Sequence, residues 1–528
     1  MTPIRVRLLA LLAIATVVLY LPLLAAGFAW DDEALIPAIA ARPASEAWSH
    51  GLWPGSEGEA RGIILYRPAL EMVLKATATA GGGSPLLFHA VSIALHVLVG
   101  LGFLCWLWRR DDEGGRGREA LWGSTLVASA YLLHPAHQEA VAFVSGQNDL
   151  WAALAVVGAA WAAERSSLLA GLVLLVGLAF KESAVVGVIL VGGDLLVRGR
   201  GPRTAVALVA ATTLWIGIRL VMASPPNLPV PTFMQGAAMF AHAGSLLVGA
   251  SAVHVHQPLS LVFADTIRWA TGTAAIVALV ATTLARTDGR LGLAAWITGL
   301  LLALPVAVTV DNYGDRYFNI PDLGLALALA GPAACLVGWR PGRWIAAAAL
   351  AGWLLLNVTS LSRWASSTSL WDWGLDHDPT GYSAWQLGAY HEGAGRLEQA
   401  EAAYAQALDA RYPYPVAFAG LGRLRVLRGD LAGGCQSLAR AHSLDSDGKA
   451  YLARCLAAAG TPGPAAKLLD EAQAEDPTNP LVLLEQLALA VETGDVAREH
   501  TARSDLARVG VDDAAATILL AARRRGLQ

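Results

Sequence analysis

Long apolar runs, separated by short charged segments, dominate the first 362 residues. The first run, Leu8–Phe28, is long enough to cross a bilayer as a helix. Further runs follow as far as residue 361, and several of them are short. The pattern predicts eleven membrane spans, at 8–28, 85–108, 120–133, 149–163, 166–180, 183–197, 203–222, 267–285, 291–310, 321–338 and 343–361.

Arginines indicate the side of the membrane on which each loop lies, because Lys and Arg are enriched in cytoplasmic loops. Arg5 and Arg7 precede the first run and place the N-terminus in the cytoplasm. The later clusters then all fall in inner loops; they are Arg109/Arg110/Arg116/Arg118, Arg165, Arg198/Arg200/Arg203, Arg286/Arg290 and Arg340/Arg343. The agreement requires that residues 237–257, with His254 and His256, do not cross fully, so we predict a re-entrant or in-plane helix there.

From Tyr382 onward the chain is rich in Ala and Leu, carries regular charges and repeats itself. Gly395, Gly429, Gly460 and Gly494 are spaced by 34, 31 and 34 residues, close to the 34-residue tetratricopeptide period. Repeats of this kind are helix pairs that stack into a solenoid with a concave groove. The groove predicts binding of protein partners; the alternative is a stabilising cap or a dimerisation surface.

These patterns together predict an all-α protein with two domains. A polytopic membrane domain occupies residues 1–362, with an interfacial linker at 363–381 and about four extracytoplasmic repeats at 382–528. The predicted location is the inner membrane of a bacterium, with a cytoplasmic N-terminus and periplasmic repeats.

The composition supports this division. Of the 528 residues, 55% are hydrophobic and 15% are charged, well below the roughly 25% charged residues of soluble proteins. The net charge of −4 offers no basic field to a nucleic acid, which excludes that class of partner. Cys105 and Cys335 lie in apolar segments and are expected to be buried thiols, whereas Cys435 and Cys455 are a candidate disulfide if the repeats are extracytoplasmic.

Two adjacent carboxylates, Asp31 and Asp32, follow the first span on its predicted outer side. Ionisable groups at the mouth of a membrane helix are costly to place there and by default mark a functional site. The alternative is a solvated or helix-capping acidic pair. Because neighbouring residues on a helix point about 100° apart, we expect the two carboxylates to have different roles.

The predicted outer segments contain most of the unusual polar motifs. In order they are Trp30-Asp31-Asp32, Tyr66-Arg67-Pro68, Phe88-His89 with His96, His134-Pro135 with His137 and Glu139, Val144-Ser145-Gly146 with Asp149, Phe180-Lys181-Glu182, and Asp315-Arg316-Tyr317 with Pro321. With repeats after the last span, this series resembles the tetratricopeptide-repeat transmembrane O-mannosyltransferases, which belong to the GT-C superfamily of membrane glycosyltransferases. The resemblance covers nearly the whole chain.

The resemblance implies transfer of a sugar, with mannose as a candidate, from a polyprenyl-phosphate donor to a hydroxyl, in the first place Ser or Thr of an extracytoplasmic protein. It implies that Asp31 or Asp32 is the base that activates this hydroxyl, while the other orients the acceptor or holds a divalent metal ion. The phosphate leaving group is stable as an anion, so it requires a cation rather than a general acid. No other cofactor is implied.

Arg316 is the first candidate for the donor phosphate, because a guanidinium binds phosphate oxygens in a bidentate manner. Its alternative is an ion pair with a neighbouring aspartate. Lys181 either contacts the phosphate or, together with Glu182, anchors a short helix at the interface. Arg67 is expected to pair with Asp32 or to contact the donor.

His134, His137 and Glu139 form a compact polar turn, whose spacing is not that of a catalytic zinc helix. We expect its hydrogen bonds to shape the donor pocket, to which the resemblance also assigns Tyr317. Two other functions remain open. The same fold could glycosylate lipid A or a surface glycan, or the protein could be a non-catalytic membrane scaffold whose repeats gather partners.

Overall fold

The computed structural model describes residues 2–48, 51–52, 66–222, 230–248, 256, 258, 262, 265–309, 312, 314–377, 380–441 and 443–525. Within these ranges every regular element is helical, and one isolated bridge joins Thr380 to Tyr412. The predicted all-α class is therefore confirmed. The chain forms two compact units, Met1–Leu370 and Trp371–Gln528.

The α-helices that begin in the first unit range from four to 29 residues in length. They are α1 (Pro3–Tyr20), α2 (Asp32–Ala41), α3 (Pro68–Gly81), α4 (Pro85–Glu113), α5 (Arg118–Leu133), α6 (Gln138–Ala142), α7 (Gln147–Ala163), α8 (Ser167–Phe180), α9 (Asp194–Val197), α10 (Pro202–Met222), α11 (Phe233–Leu247), α12 (Thr266–Thr283), α13 (Thr287–Thr309), α14 (Pro321–Gly338), α15 (Arg340–Ser360) and α16 (Ser367–His377). Short 3₁₀ segments include Pro135–His137, Val144–Gly146, Glu182–Val185 and Asp315–Phe318, and Val188–Gly193 is a π-helix.

Several of these helices are suited to a membrane. Six are long and apolar enough to cross one: Pro3–Ala25, Pro85–Glu113, Pro202–Met222, Thr287–Val308, Pro321–Gly338 and Arg340–Ala365. A seventh would be the pair Pro135–Ala142 and Val144–Ala163, which is bent by 105°. All eleven predicted spans coincide with helical structure, although 183–197 is divided among three short helices; the number that cross stays a prediction.

The predicted re-entrant segment 237–257 is described only in part. Its first half belongs to α11, while His254 and most of residues 249–257 lie outside the described residues. The membrane role of this segment therefore stays a prediction.

Small residues let the helices of the first unit approach closely, as is usual where lipid removes the hydrophobic drive between helices. A Cβ atom on Gly123 of α5 would lie 2.6 Å from the backbone nitrogen of Ala334 in α14. A Cβ atom on Gly292 of α13 would lie 2.4 Å from the carbonyl oxygen of Gly324 in α14. Neighbouring helices thus hold α14 both near its start, at Gly324, and near its end, at Ala334. The segment just before this helix carries Arg316.

Ion pairs bring the predicted inner loops together at one end of the first unit. The pairs are Arg5–Asp112 at 2.6 Å, Arg110–Asp194 at 2.5 Å, Arg116–Asp288 at 2.6 Å and Arg198–Glu113 at 2.8 Å. Four of the arginines in the predicted inner segments therefore lie at the same end of the unit. The side of the membrane that this end faces stays a prediction.

The second unit consists of helix pairs followed by a last helix, in the described residues. The helices are α17 (Tyr382–Gly393), α18 (Leu397–Asp409), α19 (Ala417–Leu427), α20 (Leu431–Arg440), α21 (Ser446–Ala458), α22 (Pro462–Glu475), α23 (Pro480–Thr493), α24 (Val496–Arg508) and α25 (Asp513–Arg525). The four periodic glycines lie in the turns inside the pairs, with φ between 70° and 90°. This left-handed conformation is easily adopted only by glycine, which explains the period.

The cysteines follow the prediction in part. Cys435 and Cys455 form a disulfide that joins α20 to α21. Cys105 is half-buried, but the predicted burial of Cys335 is wrong, because its side chain is exposed. Cys335 lies near the end of α14, beside the guanidinium of Arg286 at 3.5 Å, where the helix borders an open cleft.

Candidate active site

The turn before α2 is held in a strained conformation. Trp30 has φ of 60°, and no other non-glycine residue of the described chain has a positive φ. Such strain persists only where the surroundings fix it. The Trp30 N–H donates to Ser367 Oγ at 2.9 Å, and the indole stacks on Phe143 with ring centroids 5.2 Å apart. This turn determines where the next two carboxylates lie.

Asp32 is an anchoring residue, with a side chain only 1% exposed. Its Oδ2 accepts the Val144 N–H at 2.7 Å, and its Oδ1 accepts both the Ser145 N–H, at 2.7 Å, and the Ser145 hydroxyl. A carboxylate in this position caps the 3₁₀ segment that leads into α7. Burial raises the pKa of Asp32 to about 7, although the three donors oppose the rise.

Asp31 has a different environment. It is half-buried, precedes α2 and makes no capping hydrogen bond to that helix. Its charge helps to raise the pKa of Arg316, whose Cζ lies 5.5 Å from the centroid of the Trp30 ring and 5.4 Å from that of Phe143. The acidic turn and Arg316, 285 residues apart in the numbering, thus meet in one place.

Arg316 pairs with Glu139. Of the two neighbouring aspartates that were its alternative partners, Asp315 lies 3.4 Å from His242, and Asp311 lies outside the described residues. The guanidinium lies 2.5 Å from Glu139 Oε1, and the Arg316 N–H donates to Oε2 at 3.2 Å. Burial by itself would lower the pKa of Arg316, but Glu139, Tyr317 and Asp149 together raise it. Glu139 therefore fixes the orientation of a guanidinium that stays charged.

Two cations flank the ring of Tyr317. The Cζ of Arg316 lies 5.2 Å from its centroid and the Nζ of Lys181 lies 5.4 Å from it, which is a cation–π geometry. Lys181 also binds Asp149 Oδ1 at 2.5 Å. Burial lowers the pKa of Lys181, and the charges of Arg67 and Arg316 lower it further against the effect of Asp149. The charges of Lys181, Arg316 and Arg67, which come from distant segments, therefore influence one another near Tyr317.

Glu182 forms an ion pair with Arg67. It lies 3.9 Å from Arg67 and 3.1 Å from Arg219, near the end of α10. The structure thus gives Arg67 a carboxylate partner other than Asp32, whose two oxygens are engaged by the turn at 144–145.

Two contributors to the site were not chosen from the sequence. In the sequence, Asp149 is only the last residue of the motif that begins at Val144. In the structure it is the partner of Lys181. Arg219 was absent from the candidates, and it pairs with Glu182. Both residues could have been found from the sequence, because each is an ionisable residue near the end of an apolar helix.

His134 and His137 are buried beside Glu139 in the chain. Both nitrogens of each ring have hydrogen-bond partners, namely Tyr131 O and Asp322 for His137, and the Ala136 N–H and Leu246 O for His134. These bonds brace the 3₁₀ turn Pro135–His137, which precedes Glu139. The role of the two histidines in a donor pocket stays a prediction.

A divalent metal ion at the acidic pair does not fit these contacts. Both oxygens of Asp32 already accept hydrogen bonds from the protein. Across the part of the chain that the structure describes, no three His, Cys, Asp or Glu side chains are grouped so that they could hold a metal ion.

No family model matches the chain. Part of it is similar to protein O-mannosyl-transferase Tmtc1 of Drosophila melanogaster, with 29% identity over 187 residues. The aligned stretch is 33% of this chain, and the chain spans 21% of the length of that relative. This relative is an O-mannosyl-transferase by name, the class that the order of the polar motifs also resembles.

Proposed function

We propose that this protein is a membrane glycosyltransferase that moves a sugar, with mannose as the first candidate, from a polyprenyl-phosphate donor to a hydroxyl acceptor. The similarity to an O-mannosyl-transferase supports the general class. The observation that carries the finer proposal is the meeting of Asp31 with Arg316, Lys181 and Arg67 around Tyr317.

The reaction needs a base at one end and cations at the other. The acceptor oxygen attacks the anomeric carbon, and its proton passes to the base. The bond between that carbon and the phosphate oxygen breaks, and the polyprenyl phosphate leaves with the electron pair. Because this leaving group is a stable anion, positioned positive charge replaces a general acid.

Arg316 and Lys181 are the proposed phosphate ligands. Each is held by one carboxylate, Glu139 for Arg316 and Asp149 for Lys181, so their positions are set before the donor arrives. A guanidinium has five N–H donors, and the side-chain bond to Glu139 leaves others for phosphate oxygens. Arg67, held by Glu182, adds charge to the same region.

Asp31 is the proposed base, and Asp32 is the proposed positioning residue. Both oxygens of Asp32 accept hydrogen bonds from the turn at 144–145. Asp31, by contrast, is partly accessible and lies near Arg316. In this arrangement the acceptor hydroxyl would approach Asp31 from the outer aqueous side. We propose Ser or Thr of an extracytoplasmic protein as the acceptor, with the repeats as its binding surface.

The test is transfer from a radiolabelled polyprenyl-phosphate mannose by the full-length protein in membranes. Asp31→Asn should reduce the rate by about 10²–10⁴-fold, the usual contribution of a general base, without changing the thermal unfolding midpoint. Arg316→Lys should also reduce transfer, because an ammonium cannot bind phosphate in a bidentate manner. Asp112→Asn, an exposed aspartate at the opposite end of the unit, is the control and should transfer normally.

Full transfer by Asp31→Asn at normal expression would reject the proposal. The acceptor is tested separately, by glycan profiling of a strain that lacks the protein. Sugar should disappear from secreted or membrane proteins; its loss from lipid A or an envelope glycan instead would reject the protein acceptor and leave the transferase proposal intact.

A further inference from the structure

A polar cleft of about 740 Å³ opens at the end of the first unit where the predicted inner loops meet. The start of α5, the turn between α12 and α13, and the second half of α14 form its walls. Its size is within the range of small-molecule sites. The cleft is separate from the candidate active site, because none of the residues proposed for sugar transfer lines it.

The aspartates of the cleft are already bonded. Asp288 accepts from Arg110 at 2.9 Å through one oxygen and from Arg116 at 2.6 Å through the other. Asp111 accepts from Ser124 at 2.7 Å and from Arg116 at 3.3 Å. These carboxylates therefore add little free negative charge to the cleft.

Two arginines of the cleft have no such partner. Among the described residues, neither Arg118 nor Arg286 has a carboxylate oxygen within 4.0 Å. Both side chains are exposed. The guanidinium of Arg286 lies over Gly331, where an added Cβ would be 2.8 Å from its Nη1. Because Gly331 has no side chain, the guanidinium of Arg286 can pack against the backbone of α14 at the wall of the cleft.

The remaining acid of the cleft, Glu119, lies against another element. A Cβ atom on Gly338 would be 3.2 Å from its carboxyl carbon. Glu119 therefore lies at the C-terminal end of α14, while Arg286 lies over Gly331, seven residues earlier. The cleft combines two guanidinium groups that have no carboxylate partner among the described residues with a floor of small residues.

We propose that this cleft binds the phosphodiester headgroup of an anionic membrane phospholipid, with Arg118 and Arg286 as the phosphate ligands. Arginine binds phosphate oxygens through paired N–H donors. Basic pockets between membrane helices are recurrent sites for such headgroups, and the cleft lies at the ends of apolar helices, where a lipid can enter from the bilayer.

The test uses the full-length protein in nanodiscs of phosphatidylcholine alone or with phosphatidylglycerol. Phosphatidylglycerol should raise the thermal unfolding midpoint and be retained in native mass spectra. The double variant Arg118→Gln/Arg286→Gln should bind it about 30-fold more weakly, as expected for the loss of two arginines near a membrane surface. Gly331→Leu should have a similar effect, because its side chain would displace Arg286.

Arg200→Gln is the matched control, since Arg200 lies at the same end of the unit, is exposed and pairs with Glu113 outside the cleft. It should leave binding unchanged. Equal losses for Arg200→Gln and the double variant would overturn the proposal, because they would show only a general charge effect. Equal stabilisation by inorganic phosphate in phosphatidylcholine nanodiscs would also overturn it in favour of a free-phosphate site. The variants' midpoints in phosphatidylcholine alone identify any that fail to fold.

Discussion

Asp31 and Asp32 show how one step along a helix gives two identical side chains different chemistry. Asp32 turns inward, is 1% exposed and caps the segment that begins at Val144. Asp31 stays at the surface of the turn and acts electrostatically on Arg316. Because only Asp32 is buried and bonded to the turn at 144–145, the two should respond differently to substitution.

The raised pKa of Asp32 predicts opposite effects of pH on stability and on activity. Burial raises this pKa from about 4 to about 7 in the folded state. The contribution of Asp32 to the free energy of unfolding is therefore complete below about pH 4 and is lost as the pH rises through about 7. Transfer should instead fall as the pH decreases through about 7, because protonation weakens the anchoring of the turn at 144–145.

Both quantities can be measured on either side of pH 7, by thermal unfolding and by transfer from the labelled donor. Asp32→Asn should lose both pH dependences near 7, since an amide does not titrate. Asp112→Asn, whose aspartate is exposed, should keep them. Unchanged pH profiles in Asp32→Asn would contradict this assignment.

At the scale of elements, the bend at Phe143 is what brings the site together. The helices on its two sides differ in direction by 105°. A break in an apolar helix frees backbone groups that need partners when water is scarce. Asp32 supplies acceptors for two of them, and Phe143 itself stacks on Trp30. The bend thus links the acidic turn to the segment that carries Glu139.

Packing between helix pairs of the second unit leads to a prediction about glycine. A Cβ atom on Gly388 would lie 2.5 Å from the ring of Tyr404, and one on Gly420 would lie 2.4 Å from the same ring. Tyr404 also donates its hydroxyl to Glu392 at 2.6 Å, so the ring is held from several sides. Gly388→Ala should lower the free energy of unfolding by about 1–3 kcal/mol, a typical cost of overpacking.

Gly393→Ala is a matched control in the same helix, because nothing lies within 4 Å of the added Cβ. It should leave stability unchanged or raise it slightly, since alanine favours helix more than glycine does. Thermal unfolding and protease resistance of the full-length protein measure both variants. Equal stability of Gly388→Ala and Gly393→Ala would contradict the packing described for Tyr404.

At the scale of the whole molecule, the cysteines provide a test of topology. A disulfide between Cys435 and Cys455 requires an oxidising compartment. Cys335 lies at the end of the first unit where the predicted inner loops meet. A membrane-impermeant maleimide should therefore label Cys335 only after spheroplasts are permeabilised, and should label Cys435 and Cys455 only after reduction.

Reduction should also destabilise the second unit by about 3 kcal/mol, the expected effect of opening a cross-link between residues 20 apart. In a Cys105→Ser background, Cys335→Ser should abolish labelling of the unreduced, permeabilised sample and leave the loss of stability on reduction unchanged. Labelling of Cys335 in intact spheroplasts would place its end of the unit outside and would contradict the predicted orientation.

The helices could be predicted from the amino-acid sequence, because apolar runs and turn glycines act locally. All eleven predicted spans are helical, and the periodic glycines lie in turns with positive φ. The candidate site residues are ionisable groups in or beside apolar segments. Burying such groups near lipid costs free energy, so they are expected there mainly where they have a function. That physical cost is visible without coordinates.

Which ionisable groups come into contact could not be predicted from the sequence, because it depends on the packing of distant helices. Arg316 and Glu139 are 177 residues apart, and Asp32 and Ser145 are 113 apart, so their pairing depends on how several helices pack. The exposure of Cys335 also depends on its neighbours, since an apolar sequence does not show where a helix borders a cleft. The different environments of Asp31 and Asp32 arise in the same way. The bend in another helix binds Asp32, while Asp31 lies near Arg316.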